Sequence, residues 1–161
     1  MADKQGMLGE IKLIIYDFDG VFTDNRVMLR QDGTESVMVN RSDGLAVGIF
    51  KNLGIPQVIL TTEKNPVVRA RARKLGIPIK HSLSDKKAAL VSLCRSRNVP
   101  LKNVMFVGND INDVEAMKSV GYPVAPADAY PQAKKTAVLV TKAKGGYGVV
   151  RELVEILVKL R

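Results

Sequence analysis

The sequence predicts an α/β fold, in which a Rossmann-like parallel sheet has helices on both faces and one inserted β-hairpin. Three observations indicate it. Short apolar segments rich in β-branched residues recur along the chain, helical segments that end at glycine separate them, and one early stretch breaks the alternation. The 161 residues, of which 46% are hydrophobic, suffice for one core, so we predict a single domain over residues 1–161.

The first half of the chain contains the hairpin and the first strands and helices. Asp32-Gly33 lies between two β-like arms, which is typical of a hairpin turn. Asp43 is predicted to cap the first helix, and Asn65-Pro66 opens the second, which ends at Gly76. The predicted strands cover 11–16, 55–62 and 77–81, the hairpin covers 26–39, and the helices cover 44–54 and 66–75.

The second half continues the alternation. Ser84 or Asp85 caps a helix that extends to about Arg97, and the strand after it runs into the polar segment VGND. Ligands of parallel sheets bind at the carboxyl ends of the strands, so the polar residues at those ends are the candidates for a functional site. The remaining predicted elements are a helix over 111–121, strands over 122–127 and 137–141, a helical turn over 129–135 and a last helix over 149–160.

The composition restricts the partners of the chain. A formal charge of +9 favours either nucleic acid or small anionic substrates, but aromatic residues are only 5% and no nucleic-acid-binding motif occurs. No segment reaches the roughly 20 apolar residues that span a bilayer, and no apolar signal region precedes the first strand. We therefore predict a cytoplasmic protein with no nucleic acid or membrane partner, and Cys94, the single cysteine, as a core residue.

The segment LIIYDFDGVFTD places three acids directly after an apolar strand. Neighbouring carboxylates repel one another and are costly to bury, so a cation is the simplest reason for them. Side chains two residues apart in extended backbone face the same way, and Asp17 and Asp19 can therefore point into one crevice. Asp110 and Asp113 follow a later strand and could complete an oxygen site for Mg²⁺.

These residue types suit phosphoryl transfer. One Asp can attack phosphorus, and a second Asp can protonate the leaving alcohol and later deprotonate water. A Thr hydroxyl and a Lys ammonium can hold the non-bridging phosphate oxygens, and Thr61 and Lys86 stand after a strand and at the start of a helix. Either residue alone would be an ordinary strand threonine or a solvated helix lysine. The set as a whole indicates the chemistry.

Four segments resemble, in the same order, the motifs of the haloacid dehalogenase superfamily: DFDGVFTD, VILTT, SDKKAAL and VGNDINDVEAM. The form DxDGVxTD, the short chain and KGGYGVVREL near the end are similar to its small capless branch. That branch includes the 3-deoxy-D-manno-octulosonate 8-phosphate phosphatases, the nonulosonate 9-phosphate phosphatases and the C-terminal domain of some CMP-sialic acid synthetases. The resemblance covers about residues 10–158 and implies a phosphatase without a cap domain.

The resemblance assigns roles to the clustered residues. It implies Asp17 as the nucleophile and Asp19 as the general acid and base. It implies that Mg²⁺ is held by Asp17, the backbone carbonyl of Asp19, and Asp110. It also implies that Thr61 and Lys86 bind the transferring phosphoryl group.

The loop after the later strand departs from the usual pattern at one position. Asp113 matches an acid that usually lies behind the metal ligands, and we expect it to orient Lys86. Many relatives carry GDD where this chain has GND, so Asn109 replaces one acid and makes the loop less negative. The resemblance still places Asp110 at the metal position, and we expect activity to persist.

The capless branch also implies a homotetramer. Its hairpin, at about residues 26–39, would build a central barrel, and neighbouring subunits would help to close each active site. The resemblance further implies that the GGYG segment folds over the phosphate site, so Gly145 and Gly146 are predicted to bind substrate. On physical grounds alone, these glycines indicate only a flexible loop.

The residues after the predicted strand 55–62 indicate which sugar acid phosphate is the substrate. Octulosonate phosphatases usually show a TGR-like sequence there, whereas this chain has TTEKNPVVRARARKLG. Glu63, Arg71 and Lys74 match the trio associated with nonulosonate 9-phosphate phosphatases, including the enzyme for 2-keto-3-deoxy-D-glycero-D-galacto-nononate 9-phosphate. With Thr62, they are predicted to bind the substrate, since carboxylates accept hydrogen bonds from sugar hydroxyls and Arg binds carboxylates. Without the resemblance, a solvated basic helix face explains Arg71 and Lys74 better.

The sequence thus predicts a Mg²⁺-dependent phosphatase of a 2-keto-3-deoxy sugar acid phosphate, with a sialic acid-type nonulosonate 9-phosphate favoured. Two alternatives stay open. The first keeps the chemistry and takes 3-deoxy-D-manno-octulosonate 8-phosphate as the substrate. The second is a non-catalytic assembly domain like the tail of a CMP-sialic acid synthetase, against which the intact pair of aspartates argues.

Overall fold

The computed structural model describes residues 10–158, and a six-stranded parallel sheet lies at its centre. The strands of this sheet are β1 (Leu13–Tyr16), β4 (Gln57–Leu60), β5 (Ile79–Lys80), β6 (Val104–Val107), β7 (Tyr122–Ala125) and β8 (Leu139–Val140); β2 (Met28–Leu29) and β3 (Glu35–Ser36) form the hairpin. The order in the sheet is β5-β4-β1-β6-β7-β8. The chain builds outward from β1 in both directions, so a crevice for ligands lies at the carboxyl ends of β1 and its neighbours.

Helices cover both faces of the sheet. They are α1 (Arg41–Asn52), α2 (Pro66–Leu75), α3 (Lys86–Ser96), α4 (Val114–Met117), α5 (Pro131–Thr136) and α6 (Val149–Leu157). Helices α1, α2 and α6 share one apolar core, and α3, α4 and α5 share the other. Alternate residues of β1 serve the two cores: Ile14 and Tyr16 enter the first, Leu13 and Ile15 the second. The predicted fold class is confirmed.

Local sequence signals set several helix ends as predicted. Asn65 caps α2, because its side chain accepts a hydrogen bond from the Val67 N–H at 3.0 Å. Gly76 ends the same helix with a φ of 64°, a left-handed conformation that favours glycine. Asp85 caps α3 and accepts from the Ala88 N–H at 2.9 Å.

The predicted cap of α1 is wrong. The helix begins at Arg41, and its cap is Asn40, whose side chain accepts a hydrogen bond from the Ser42 N–H at 2.9 Å. Asp43 is instead fully buried, and its Oδ1 accepts from the Arg151 N–H near the start of α6 at 3.0 Å. A cap from a neighbouring helix depends on tertiary contacts, which sequence spacing does not record.

The hairpin is shorter than predicted, with two paired residues in each strand. Its turn follows the predicted Asp32-Gly33, where Gly33 has a φ of 82° and Asp32 accepts from the Thr34 N–H at 3.0 Å. The flanking arms carry large apolar side chains on the surface. Those at least half exposed are Val27, Met28, Leu29 and Met38.

Two further ends differ from the prediction. Residues 111–121 form a short 3₁₀ turn, Ile111–Asp113, followed by the four-residue α4. The last helix ends at Leu157, and the predicted positions 159 and 160, like the N-terminal residues 1–9, lie outside the described residues. None of the described helices is long and apolar enough to cross a membrane.

Candidate active site

Asp17 lies at the carboxyl end of β1 and is buried. Its backbone N–H donates to the Val107 carbonyl at the end of β6, with an N–O distance of 2.9 Å. Its Oδ1 accepts from the Phe18 N–H at 2.7 Å and lies 2.8 Å from the Lys86 Nζ. The two central strands and the first residue of α3 therefore fix this carboxylate in one orientation.

Asp113 connects Lys86 to the loop after β6. Its Oδ1 lies 2.7 Å from the Lys86 Nζ, and its Oδ2 accepts hydrogen bonds from the backbone N–H groups of Asn109 (2.9 Å) and Asp110 (3.2 Å). Gly108 makes this approach possible, because a Cβ there would lie 2.6 Å from the Asp113 Cβ. One buried acid thus positions both the lysine and the loop.

The electrostatics of this group depend on burial. Burial raises the pKa of Asp17, and the Asp113 carboxylate raises it further, while Lys86 opposes both. Burial alone would lower the pKa of Lys86, but the two carboxylates outweigh it and hold that pKa above its usual value. The lysine is therefore charged, and an additional cation at Asp17 would favour the ionised carboxylate.

Asp19 is half-buried and faces a different environment. Its Oδ1 accepts a hydrogen bond from the Thr23 hydroxyl at 3.4 Å. It lines a cavity of about 200 Å³ together with Glu63 from the end of β4 and Glu35 from the hairpin. Burial, and then the Glu63 carboxylate, raise the pKa of Asp19. A carboxyl group whose pKa is raised in this way suits a general acid.

Asn109 and Asp110 lie side by side but point to different partners. One end of the Asn109 side-chain amide lies 2.9 Å from the Asp19 carbonyl oxygen and 3.2 Å from Asp17 Oδ2. The Asp110 Oδ1 instead accepts from the Ile111 N–H at 2.6 Å, at the start of the 3₁₀ turn. The structure therefore puts Asn109, and not Asp110, in contact with the oxygens of Asp17 and Asp19.

These contacts bear on the predicted metal. Within residues 10–158, no three acidic, histidine or cysteine side chains form a group that could hold an ion. The Asp17 carboxylate, the Asp19 carbonyl and the Asn109 amide can nevertheless present three oxygens to one point. Carboxylate, carbonyl and amide oxygens are the ligands that Mg²⁺ accepts, so the residues present fit this ion.

Thr61, Thr62 and Glu63 follow β4 at the same edge of the sheet. Thr61 is buried, and its hydroxyl accepts from the Glu63 N–H at 3.0 Å, which leaves its own proton available to a ligand. Thr62 is exposed. The Glu63 Oε1 accepts from the backbone N–H groups of Lys64 and Asn65 at 2.6 and 2.9 Å, so one oxygen supports the turn into α2.

Arg71 and Lys74 lie farther along α2. The Arg71 Nη2 donates to the Asn40 carbonyl before α1 at 2.8 Å, and the residue is half-buried. Lys74 is exposed. No contact recorded among the described residues joins either side chain to Asp17 or Asp19. Both therefore lie apart from the group that the structure brings together around Asp17.

Gly145 and Gly146 pack against the loop that follows Asp17. A Cβ at Gly145 would lie 2.2 Å from the Gly20 carbonyl oxygen, and one at Gly146 would lie 2.6 Å from the Asp24 nitrogen. The Gly146 N–H donates to the Val21 carbonyl at 3.0 Å. These glycines are required for a close approach of two backbones, a role that their flexibility alone did not predict.

Sequence reasoning missed two residues of this site. Thr23 is fully buried, and its hydroxyl accepts from the Gly20 and Asn25 N–H groups while donating to Asp19. The sequence indicated Asn109 only as a replacement for an acid of the usual GDD pattern. Its amide oxygen is itself a metal-ligand type, and that signal was present in the sequence.

Known proteins resemble this chain in sequence and in fold. The profile of the haloacid dehalogenase-like hydrolases matches residues 62–153. The 3-deoxy-D-manno-octulosonate 8-phosphate phosphatase KdsC of Escherichia coli K12 is 34% identical over 157 residues, which are 97% of this chain and 84% of that protein. The chain belongs to the haloacid dehalogenase-like hydrolases.

Solved structures of this hydrolase family superimpose on the chain. A Streptomyces avermitilis protein described as a HAD family hydrolase matches with a TM-score of 0.93 at 40% identity, over 95% of this chain and 88% of its own. The 3-deoxy-D-manno-octulosonate 8-phosphate phosphatase of Moraxella catarrhalis, crystallised with magnesium, phosphate and KDO, matches with a TM-score of 0.91 at 28% identity, over 98% and 93%. The predicted superfamily and its KdsC-like fold are confirmed.

Proposed function

We propose that this hydrolase is a Mg²⁺-dependent phosphatase of a 2-keto-3-deoxy sugar acid phosphate, acting through an aspartyl-phosphate on Asp17. The observation that carries the proposal is the buried contact of Asp17 with Lys86 at 2.8 Å, beside an Asp19 whose pKa is raised. A nucleophile held in one orientation and a proton donor two residues away are the parts that phosphoryl transfer needs.

The two aspartates would act in turn. A carboxylate oxygen of Asp17 attacks phosphorus, the ester P–O bond breaks, and Asp19 gives its proton to the leaving alcohol oxygen. Water then attacks the phosphorus of the aspartyl-phosphate and gives a proton to Asp19, while the bond between phosphorus and the Asp17 oxygen breaks. Inorganic phosphate leaves, and both residues return to their starting states.

The surrounding residues would hold the phosphoryl group. Lys86 carries a buried positive charge beside Asp17, and the proton of the Thr61 hydroxyl is free to bond a non-bridging oxygen. Bound Mg²⁺ would neutralise charge on the phosphate. The Asp17 carboxylate and the Asp19 carbonyl would hold it, together with an oxygen from the loop after β6.

The substrate class follows from two observations. The matched curated relative acts on 3-deoxy-D-manno-octulosonate 8-phosphate, a 2-keto-3-deoxy sugar acid phosphate. The formal charge of +9 attracts such polyanions to the protein. Within this class, Glu63 favours a nonulosonate 9-phosphate, because its carboxylate faces the cavity beside Asp19 and can accept hydrogen bonds from sugar hydroxyls. Arg71 and Lys74 would bind the acid group, and the octulosonate remains the second candidate.

The proposed assembly is a homotetramer of cytoplasmic chains. The exposed apolar side chains of the hairpin support it, because a single chain leaves them in water. A neighbour that covers the hairpin would also lie close to the cavity lined by Glu35 and Val37. Gly145 and Gly146 pack against the loop after Asp17. They would therefore help to bind phosphate by holding that loop in place.

A phosphate-release screen tests the proposed function. Eight- and nine-carbon ulosonic acid phosphates are compared by kcat/KM, each with Mg²⁺ and with excess chelator. We expect turnover only with Mg²⁺ and the highest kcat/KM on a nonulosonate 9-phosphate. A higher kcat/KM on the octulosonate 8-phosphate would overturn the finer assignment, and no turnover on any member would favour the assembly-domain alternative.

A further inference from the structure

Asp43 is a buried acid that the proposed mechanism does not use. It is 0% exposed, and its Oδ1 accepts a hydrogen bond from the Arg151 N–H at 3.0 Å. Its Oδ2 is also buried and has no hydrogen-bond partner within residues 10–158. An amide oxygen could accept the bond from Arg151 without a buried charge, so this contact does not explain why the position carries an acid.

The negative charge of Asp43 is costly where it lies. Burial raises the pKa of Asp43 from 3.8 to about 6. At neutral pH the carboxylate is therefore ionised at the expense of folding stability. Natural proteins accept such a loss where function depends on the group, so the question is which cation the charge holds.

Tyr16 of β1, Arg151 of α6 and Arg71 of α2 are the candidate partners of this carboxylate. The Tyr16 hydroxyl instead donates to a glutamine side chain of β4 at 2.9 Å. The Arg151 guanidinium pairs with Glu155 on its own helix, with an Nη2–Oε1 distance of 2.5 Å. Arg71 is left as the cation whose charge acts on the buried acid.

Arg71 reaches the start of α1 from the neighbouring helix. Its Nη2 donates to the Asn40 carbonyl at 2.8 Å and would lie 4.0 Å from a Cβ at Gly44. These two residues stand on either side of Asp43 along the chain, so the guanidinium lies at the turn that carries the carboxylate. The Arg71 Nε is buried and, like Asp43 Oδ2, has no hydrogen-bond partner among the described residues.

One nitrogen of Arg71 stays available to a ligand. Within residues 10–158, its Nη1 is neither buried nor hydrogen-bonded. A guanidinium fixed at Nη2 and free at Nη1 can bind a carboxylate at a set place. The acid group of a nonulosonate lies at the opposite end of the molecule from its 9-phosphate, so a cation that stands apart from Asp17 suits it.

We propose that Asp43 is a positioning residue for Arg71. Its negative charge holds the guanidinium against the start of α1 and leaves Nη1 to bind the acid group of the substrate. This inference rests on the proposed function, in which Arg71 binds that group. Asp43 itself contacts neither the substrate nor the reacting atoms and acts only through Arg71.

A double-mutant cycle on the full chain tests this coupling, with a nonulosonate 9-phosphate as substrate and saturating Mg²⁺. Arg71→Gln should lower kcat/KM at least about tenfold, through KM, because it removes the cation that binds the acid. Asp43→Asn should lower it about fivefold, also through KM. The double variant should be no worse than Arg71→Gln alone. On p-nitrophenyl phosphate, which has no carboxylate, every variant should stay within about twofold of the wild-type protein.

Val47→Ala is the matched control for packing in α1. Val47 lies in the same helix, is 1% exposed and has no charge. The substitution should lower the midpoint of thermal unfolding and leave KM for the sugar acid within about twofold of the wild-type value. A rise in KM equal to that of Asp43→Asn would show that a loosened helix suffices, and it would overturn the role of the charge.

Solvent exchange of the Arg71 Nε–H measures the positioning without substrate. Its signal in nitrogen–proton spectra is identified by its absence in Arg71→Gln. In Asp43→Asn it should exchange at least about tenfold faster, because the guanidinium leaves its buried place more often. In the wild-type protein, exchange relative to the exposed Arg69 should rise as pH falls below about 6, the pKa of Asp43. Tyr16 stays neutral in this range, because burial raises its pKa.

The outcomes separate this inference from the proposed function. Losses that multiply in the double variant, or equal exchange in Asp43→Asn and the wild-type protein, would overturn the inference. If Asp43→Asn fails to fold, the pH dependence of the wild-type exchange decides the question. Faster exchange in Asp43→Asn, in a protein that releases phosphate from no sugar acid, would overturn the proposed function and leave Asp43 as the residue that holds Arg71.

Discussion

The two sides of the crevice are held in different ways. At the ends of β1 and β6, Asp17, Lys86 and Asp113 are buried and joined by contacts of 2.7 and 2.8 Å. At the end of β4, Thr62 is exposed, and Glu63 has one oxygen committed to the turn into α2. The chain thus fixes its chemistry with its own core, whereas in the proposed tetramer the side that would meet the sugar would be completed by the substrate and by a neighbouring subunit.

The largest expected effect comes from Asp17→Asn, which changes the buried group at the ends of β1 and β6. We expect kcat to fall by at least about 1000-fold, because an amide cannot attack phosphorus. Thermal stability should not fall, since burial disfavours the charge that the substitution removes. Phosphate release and thermal unfolding measure the two effects. Retained turnover in a purified variant would remove Asp17 from the nucleophile role.

Asp113→Asn should have the next largest effect. It takes away the charge that Lys86 meets at 2.7 Å and leaves as partner only Asp17, whose charge burial disfavours; breaking a buried ion pair of this kind costs about 3 kcal/mol. Chemical denaturation measures the loss. The control is Glu115→Gln on α4, whose pair with Lys118 is on the surface and should contribute nothing measurable. Equal stability of the two variants would contradict the positioning role of Asp113.

A third prediction concerns the neighbour that we propose beside the hairpin. Met38→Glu places a charge on a side chain that is 77% exposed in the single chain. We expect the dissociation constant of the tetramer to rise at least about 100-fold, as for a central interface residue, and light scattering after gel filtration measures it. Val138→Glu, at a side chain 64% exposed but outside the hairpin, should leave the tetramer intact.

Glu63→Gln tests the side of the crevice at the end of β4, which would meet the sugar. The amide oxygen can still accept from the Lys64 and Asn65 N–H groups, so the turn is preserved. We expect kcat/KM on the acidic sugar phosphate to fall about tenfold and that on p-nitrophenyl phosphate to change less than about twofold. Parallel losses on both substrates would place Glu63 in the chemistry, through its effect on Asp19, and not in sugar recognition.

The smallest effect is expected at Asp43, which lies in α1 close to Arg71. Burial raises its pKa from 3.8 to about 6, although the Arg151 and Val150 N–H groups and Arg71 oppose this. Because the folded pKa is the higher one, ionisation costs stability as pH rises between these values. The Asp43→Asn protein should therefore gain about 1 kcal/mol relative to the wild-type protein between pH 5 and pH 7, by denaturation at each pH. A constant difference would contradict the raised pKa.

Sequence patterns predicted local structure well and tertiary contacts poorly. Helix α2 begins at the predicted Asn65-Pro66 and ends at Gly76, because the capping side chain and the left-handed glycine both act within a few residues. The strands of the sheet were found because they are short, apolar and buried. The hairpin arms were overestimated, since among the described residues Val27, Met28, Leu29 and Met38 of these arms stay exposed.

The same contrast between local patterns and tertiary contacts applies to the candidate active site. Asp17, Lys86 and Asp113, which the sequence singled out, lie together in the structure because their strands and helix starts meet at one edge. Spacing did not reveal which of Asn109 and Asp110 faces Asp17, since that depends on the turn after β6 and on Asp113 holding both backbone N–H groups. The contact of Gly145 with Gly20 joins distant parts of the chain and leaves no local pattern.

That contact has a consequence for biosynthesis. Ribosomes make a chain from its N-terminus, so the nucleophile at position 17 emerges early, while Gly145 and Gly146, which brace its loop, emerge more than a hundred residues later. A nascent chain that has formed β1 and β6 still lacks this brace. Phosphatase competence would accordingly arise at the end of translation, and partly made chains would be inert toward the metabolites around them.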